Sequence, residues 1–170
     1  ATATTAFETG RMGTPWKGRW ISDPSYHFTE AKVSPVPMVF RKEITTNKPI
    51  ARARLYATAM GIYEAELNGQ KLGEQYFAPG FTSYKSYLQY QTYDVTALLT
   101  GDDTLTFTVA GGWAVGSFVF TRKNRVTADR QALLVELRIE YMDGTTETIG
   151  TDATWQVSEN GPVRMADLYD

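Results

Sequence analysis

The chain has 170 residues, 42% of them hydrophobic, a formal net charge of −2 and no cysteine. That length suits one domain with a core large enough to stand without covalent staples. The missing cysteine excludes disulfides, thiolate nucleophiles and thiolate metal sites together, and the near-neutral charge gives no pull on the whole molecule toward nucleic acid or an anionic membrane.

The N-terminus, Ala1-Thr2-Ala3-Thr4-Thr5-Ala6, has neither the charged start nor the apolar stretch of a signal peptide, and it lacks an initiator Met. A processed chain, or one piece of a longer one, is expected to begin this way. The compartment stays open between secreted, periplasmic and cytoplasmic. No apolar run approaches the roughly 18 residues of a membrane span.

Residues 10–37 carry Pro15, Pro24, Pro35 and Pro37, which disfavour central strands. The first strong pattern lies at 51–59, where Ala51, Ala53, Leu55, Ala57 and Ala59 alternate with Arg52, Arg54, Tyr56 and Thr58. A period of two marks a strand dry on one face and wet on the other. Asn68-Gly69, between Ile62–Leu67 and Gln70–Leu72, is a strong hairpin signal. Residues 76–92 are irregular and dense in aromatics. Asp94-Val95-Thr96-Ala97-Leu98-Leu99, with Asp94 as N-cap and Gly101 as stop, is the one credible helix, a short connector.

Leu105, Phe107 and Val109 then alternate with threonines in a further strand. Residues 110–131 open on Ala110-Gly111-Gly112-Trp113 and run irregularly through Arg122, Lys123, Arg125 and Arg130. Leu133, Val135, Leu137, Ile139 and Tyr141 form the buried face of the last long strand, opposite Leu134, Glu136, Arg138 and Glu140. Asp143-Gly144 joins it to Thr145–Ile149 in a second hairpin. Many short strands with such punctuation predict an all-β antiparallel sandwich or barrel in one domain.

Little in this chain suits catalysis. His27 is the single histidine and lies among Pro24, Ser25 and Tyr26, so a serine triad and histidine metal clusters have nothing to build on. Glycosidases use paired carboxylates, but Glu64 with Glu66, and Glu136 with Glu140, have the same-face spacing of a solvated strand surface. A phosphate cradle needs more than Gly111-Gly112. An oxygen-only calcium site is open, because Asp23, Asn68, Asp102, Asp103 and Asp129 lie in predicted loops. The aromatic segments are the best binding candidates, since sugar rings stack their C–H faces on Trp and Tyr. Trp113 and Phe118, or Tyr84 and Tyr87, would form the platform, with Asp23 as a polar contact. Plugging a sandwich end or covering a domain interface is the structural alternative.

Phe7-Glu8-Thr9-Gly10, Trp16-Lys17-Gly18-Arg19-Trp20-Ile21, Phe40-Arg41-Lys42-Glu43 and the run from Ala53 through Leu67-Asn68-Gly69 appear in a fixed order. Pro79-Gly80-Phe81-Thr82-Ser83-Tyr84, Tyr90-Gln91-Thr92-Tyr93-Asp94, Gly111-Gly112-Trp113, Asp143-Gly144 and Thr151-Asp152-Ala153-Thr154-Trp155 follow. The series resembles the N-terminal domain of bacterial α-L-rhamnosidases of glycoside hydrolase family 78. The resemblance implies a galactose-binding-like jelly-roll β-sandwich, with residues 1–15 a junction from a preceding domain and 16–170 the accessory domain. It also implies that the parent enzyme's acid and base carboxylates lie in an (α/α)6 barrel outside these residues. Partners implied are rhamnose-containing carbohydrate and the catalytic and neighbouring domains of the parent. Some members of the family use calcium in sugar binding. Others use the domain as a brace.

Overall fold

The computed structural model describes residues 7–26, 34–116, 127–165 and 168–169. Its elements are β1 (Met38–Thr45), β2 (Ile50–Met60), β3 (Ile62–Leu67), β4 (Gln70–Lys71), β5 (Gln91–Asp94), β6 (Asp102–Ala110), α1 (Gly112–Val115), β7 (Ala132–Tyr141), β8 (Thr146–Gly150), β9 (Gln156–Ser158), β10 (Val163–Met165) and β11 (Leu168–Tyr169). A five-stranded sheet in the order β4-β3-β6-β1-β9 faces a four-stranded sheet in the order β5-β2-β7-β8, with β10 and β11 paired apart. Every pairing within the two sheets is antiparallel. This is the antiparallel sandwich that the alternation predicts, and the fold that the family resemblance implies.

The dry faces meet in one core. Met38, Phe40 and Ile44 of β1, Tyr63, Ala65 and Leu67 of β3, and Leu105, Phe107 and Val109 of β6 come from the first sheet. Ala53, Leu55, Ala57 and Ala59 of β2, with Leu133, Val135, Leu137 and Ile139 of β7, come from the second. Ala51 does not join them. The β2–β7 register shifts between Ile50 and Arg52, and this irregularity turns Ala51 out to solvent.

Both predicted hairpins form. Asn68 and Gly69 sit at φ 53° and 76°, the left-handed pair that matches strand twist in a two-residue turn. The second hairpin closes with Tyr141 N–H donating to Thr145 O at 2.9 Å, and Gly144 at φ 80°. The predicted helix at 94–99 is replaced by a single turn. Asp94 accepts from Thr96 N at 3.0 Å as an N-cap would, but Leu98 and Leu99 both donate back to Val95 O and the chain then leaves. The four-residue helix lies instead at α1, directly after β6.

Asp103 locks the end of the sandwich away from Trp113. Its carboxylate accepts from Asn68 Nδ2 at 2.7 Å, from Thr100 N at 3.0 Å and from Gly101 N at 3.1 Å. Burial alone would raise its pKa, and these donors hold it below the ordinary value instead.

The outer face of the second sheet departs most from expectation. Tyr56, Thr58, Leu134 and Glu136, expected to be wet, are all buried. The N-terminal segment crosses this face. Ile21 bridges Leu133, and Arg19 N–H donates to Thr151 O at 2.8 Å. Arg11 Nη1 sits 2.9 Å from Glu136 Oε1, and Lys17 N–H donates to Glu136 Oε2 at 2.5 Å. The Arg11 guanidinium lies 4.0 Å from the centre of the Trp16 ring, which meets Tyr90 edge-on at 5.9 Å. Glu8 pairs with Arg52 and Arg54 at the strap's outer end.

Candidate functional site

The end of the sandwich at the C-terminus of β6 gathers the aromatic side chains. Gly112, at φ 50°, makes the sharp turn from β6 into α1, and a Cβ there would meet Ile62 Cγ2 at 2.6 Å. Glycine at this position therefore lets the chain press against β3 and hold Trp113 at the rim. From the other side come residues 76–90. Their path is pinned where Tyr63 N–H donates to Ala78 O at 2.6 Å.

Four rings join into a ridge by edge-on contacts. Tyr84 meets Phe81 at 6.1 Å, Phe81 meets Trp113 at 5.9 Å, and Trp113 meets Phe77 at 6.0 Å. A recess of about 280 Å³ opens beside them, lined by Phe81, Tyr84 and Trp113 with Thr82, Lys85 and Thr127. Tyr84 donates its hydroxyl to Gly80 O at 3.3 Å, and partial burial raises its pKa. Thr82 is buried and bonded to Tyr87 O at 3.1 Å, which fixes the loop under the ridge. The recess offers apolar ring faces beside a hydroxyl and an ammonium, the chemistry that holds a sugar ring and its hydroxyls.

Of the candidates named from the sequence, Trp113 and Tyr84 come together here. Tyr87 is on the same loop with its ring 59% exposed, outside the lining of the recess. Asp23 is elsewhere. It is buried and accepts from both the N–H and the hydroxyl of Ser25 at 2.7 Å, a local turn. Phe118, and with it His27, Arg122, Lys123 and Arg125, lies outside the described residues. Arg130 pairs with Asp129 and lies over Tyr26.

Phe77 and Phe81 belong to the aromatic-dense segment 76–92, but no sequence signal marks either as a site residue. Phe77 is left-handed at φ 58°, a strained position for a bulky ring that no sequence period signals. A second groove, of about 700 Å³, runs beside Trp20, Arg19, Asp152, Thr154 and Trp155 on the flank of the sandwich.

The carboxylate pairs divide. Glu64 and Glu66 lie on the outer face of β3, with Glu64 paired to Lys71 at 2.7 Å. Glu136 is fully buried in its ion pair with Arg11, while Glu140 is exposed. Neither is a facing acid–base pair. Among the described residues, no group of three Asp, Glu, His or Cys side chains gathers into a metal cage. Asn68 and Asp103 are engaged with each other.

Comparison with known proteins places this geometry among relatives. Residues 48–170 match the family model described as the alpha-L-rhamnosidase N-terminal domain. An alpha-L-rhamnosidase of Streptomyces avermitilis is 45% identical over 123 residues, covering 72% of this chain and 12% of that protein. One from Formosa agariphila is 31% identical over 170 residues, covering 96% of this chain and 18% of that protein. The chain thus spans 12–18% of the length of the curated relatives it matches. The crystal structure of the native rhamnosidase from Aspergillus terreus superposes with a TM-score of 0.79 at 36% identity, over 86% of this chain and 17% of that one. The Streptomyces avermitilis enzyme complexed with L-rhamnose superposes at 0.74 with 41% identity, over 81% of this chain and 14% of that one. A Pleurotus ostreatus lectin shares the fold, with a TM-score of 0.54 at 20% identity over 83% of this chain and 34% of that one.

Proposed function

This chain belongs to the alpha-L-rhamnosidase N-terminal domain family, and from that membership we propose that it is a non-catalytic accessory domain that holds rhamnose-containing carbohydrate for its parent enzyme. The observation that carries this reading is the recess between Trp113, Phe81 and Tyr84. L-Rhamnose is a 6-deoxy sugar, so a methyl group on C5 makes one edge of it apolar. Aromatic walls suit that edge, and the Lys85 ammonium and the Thr127 hydroxyl are the groups available to its hydroxyls. The parent's hydrolysis would belong to its other domains. Binding here would keep that activity close to the glycan by raising the effective concentration.

Titration calorimetry of this chain with L-rhamnose, run with calcium and with a chelator, tests the reading. Saturable heat is expected, with a dissociation constant near millimolar, or about −4 kcal/mol. No heat at tens of millimolar sugar in either condition would overturn it.

A second reading has its own observation. Tyr76, Phe77, Phe81 and Tyr87 are 59–75% exposed and lie along one end of the sandwich. A patch of this kind is also what a domain presents to a neighbour in the same enzyme. On that reading the domain is a brace against the catalytic barrel, and the titration is silent.

A further inference from the structure

On the far side of Phe77 the aromatic ridge continues into a second hollow. This cleft, of about 380 Å³, lies on the outer face of the five-stranded sheet. Glu64 and Glu66 of β3, Thr108 of β6, Tyr76, Phe77 and Val163 line it, the first three on the outer face of the sheet. The β3–β6 register sets Glu64 opposite Thr108, so a carboxylate and a hydroxyl stand side by side on the floor. Phe77 lines this cleft and touches Trp113, which lines the recess. The two hollows therefore flank one ridge of rings.

The chemistry of the cleft differs from that of the recess. Lys71 pairs with Glu64 at 2.7 Å and also lies 3.7 Å from the centre of the Tyr76 ring. That bridge ties the ring to the floor at a fixed place. Tyr76 remains 75% exposed and Phe77 59%, so both rings present surface to solvent. Glu64, its charge balanced by Lys71, and Glu66 supply hydrogen-bond acceptors that suit the hydroxyl donors of a sugar, and the Glu66 charge repels a uronate.

We propose that this cleft is a second sugar subsite, and that the domain therefore binds a neutral oligosaccharide across the ridge, a terminal unit in the Trp113 recess and the next unit over Glu64, Glu66 and Thr108. The inference rests on the carbohydrate reading given above, and it deepens that reading by naming a chain of two or more neutral units as the ligand.

The test is a set of titrations with L-rhamnose, with a neutral rhamnosyl-glucose disaccharide and with a rhamnosyl-glucuronate disaccharide. The neutral disaccharide is expected to bind at least tenfold more tightly than the monosaccharide, and the uronate no better than the monosaccharide. Glu66→Gln, whose fold is checked by its melting curve, is expected to bring the ratio of neutral disaccharide to monosaccharide affinity down toward one. A second variant, Tyr76→Ala, should do the same by removing the wall. If rhamnose binds and the neutral disaccharide binds no more tightly, the second subsite is wrong while the recess stands. If none of the three sugars binds, the inference falls together with the reading beneath it.

Discussion

Replacing Arg11 with Met is expected to lower the stability of the domain by roughly 3–5 kcal/mol, the usual cost of stranding a buried charge. For a chain of this size that is a fall in melting temperature of roughly 6–20 °C. Glu136 is wholly buried and the Arg11 side chain nearly so. The carboxylate is held by Arg11, by the Lys17 N–H and by Arg138, whose Nε lies 2.6 Å away. With Arg11 gone, Arg138 remains, but it is about a third exposed and shares its charge with water.

The pH dependence separates this cause from simple loss of packing. In the native chain, burial alone would raise the Glu136 pKa, but Arg11, Lys17 N–H and Arg138 outweigh it and hold it below the ordinary value of 4.5. Its contribution to stability is therefore complete above that ordinary value and is lost as pH falls through the lower folded value. In the Arg11→Met variant the folded pKa moves the other way, because desolvation is less opposed. The gap between the two proteins should thus be widest near pH 7 and narrow as the pH approaches 4. The double variant Arg11→Met with Glu136→Leu should recover most of the loss, since neither buried charge is then left unpaired. Urea titrations across pH measure all three. A change within about 1 kcal/mol for the single variant would contradict the assignment.

The next largest effect is expected at Gly61, the turn between β2 and β3. It sits at φ 136°, a backbone region open to glycine, and a Cβ there would lie 2.1 Å from the carbonyl oxygen of Ala110. Gly61→Ala should cost roughly 2–5 kcal/mol from combined strain and overpacking. The clash is with the residue that leads into Gly111, Gly112 and Trp113, so relief by movement would displace the candidate site. The variant should therefore show both a lower urea midpoint and an altered Trp113 indole resonance. Stability within 0.5 kcal/mol of the parent, with the resonance in place, would show that the turn accepts a side chain.

The strands were legible because alternation is a local signal. Leu105, Phe107 and Val109, or Leu133 through Tyr141, announce a buried face without reference to any partner. The two hairpins were legible for the same reason, as Asn68-Gly69 and Asp143-Gly144 carry the turn in their own backbone preferences. Ala51 failed because a register shift depends on the opposing strand. The helix at 94–99 failed because Asp94 caps a turn as readily as a helix.

Glu136 is the most instructive miss. Its position in the alternation says outward, and an outward position on a half-buried strand predicts a solvated side chain. Arg11, the residue of the covering strap that pairs with it, lies 125 residues earlier in the chain, so nothing near Glu136 foretells its burial. The site was half legible on similar grounds. Aromatic density marked both segments, and Trp113 and Tyr84 do share a recess. That Phe77 and Phe81 complete the ridge follows from edge-on contacts between distant loops, which composition does not encode.

Sugar binding in the Trp113 recess is read directly by the indole N–H resonances of the four tryptophans. Each gives a separate signal in a nitrogen-15-labelled sample titrated with L-rhamnose. Sugar in the recess should shift the Trp113 resonance saturably, with Trp16 and Trp155 unmoved because they are packed under the strap and against Phe107. A titration to tens of millimolar that leaves Trp113 in place, or that moves Trp20 alone, would contradict it.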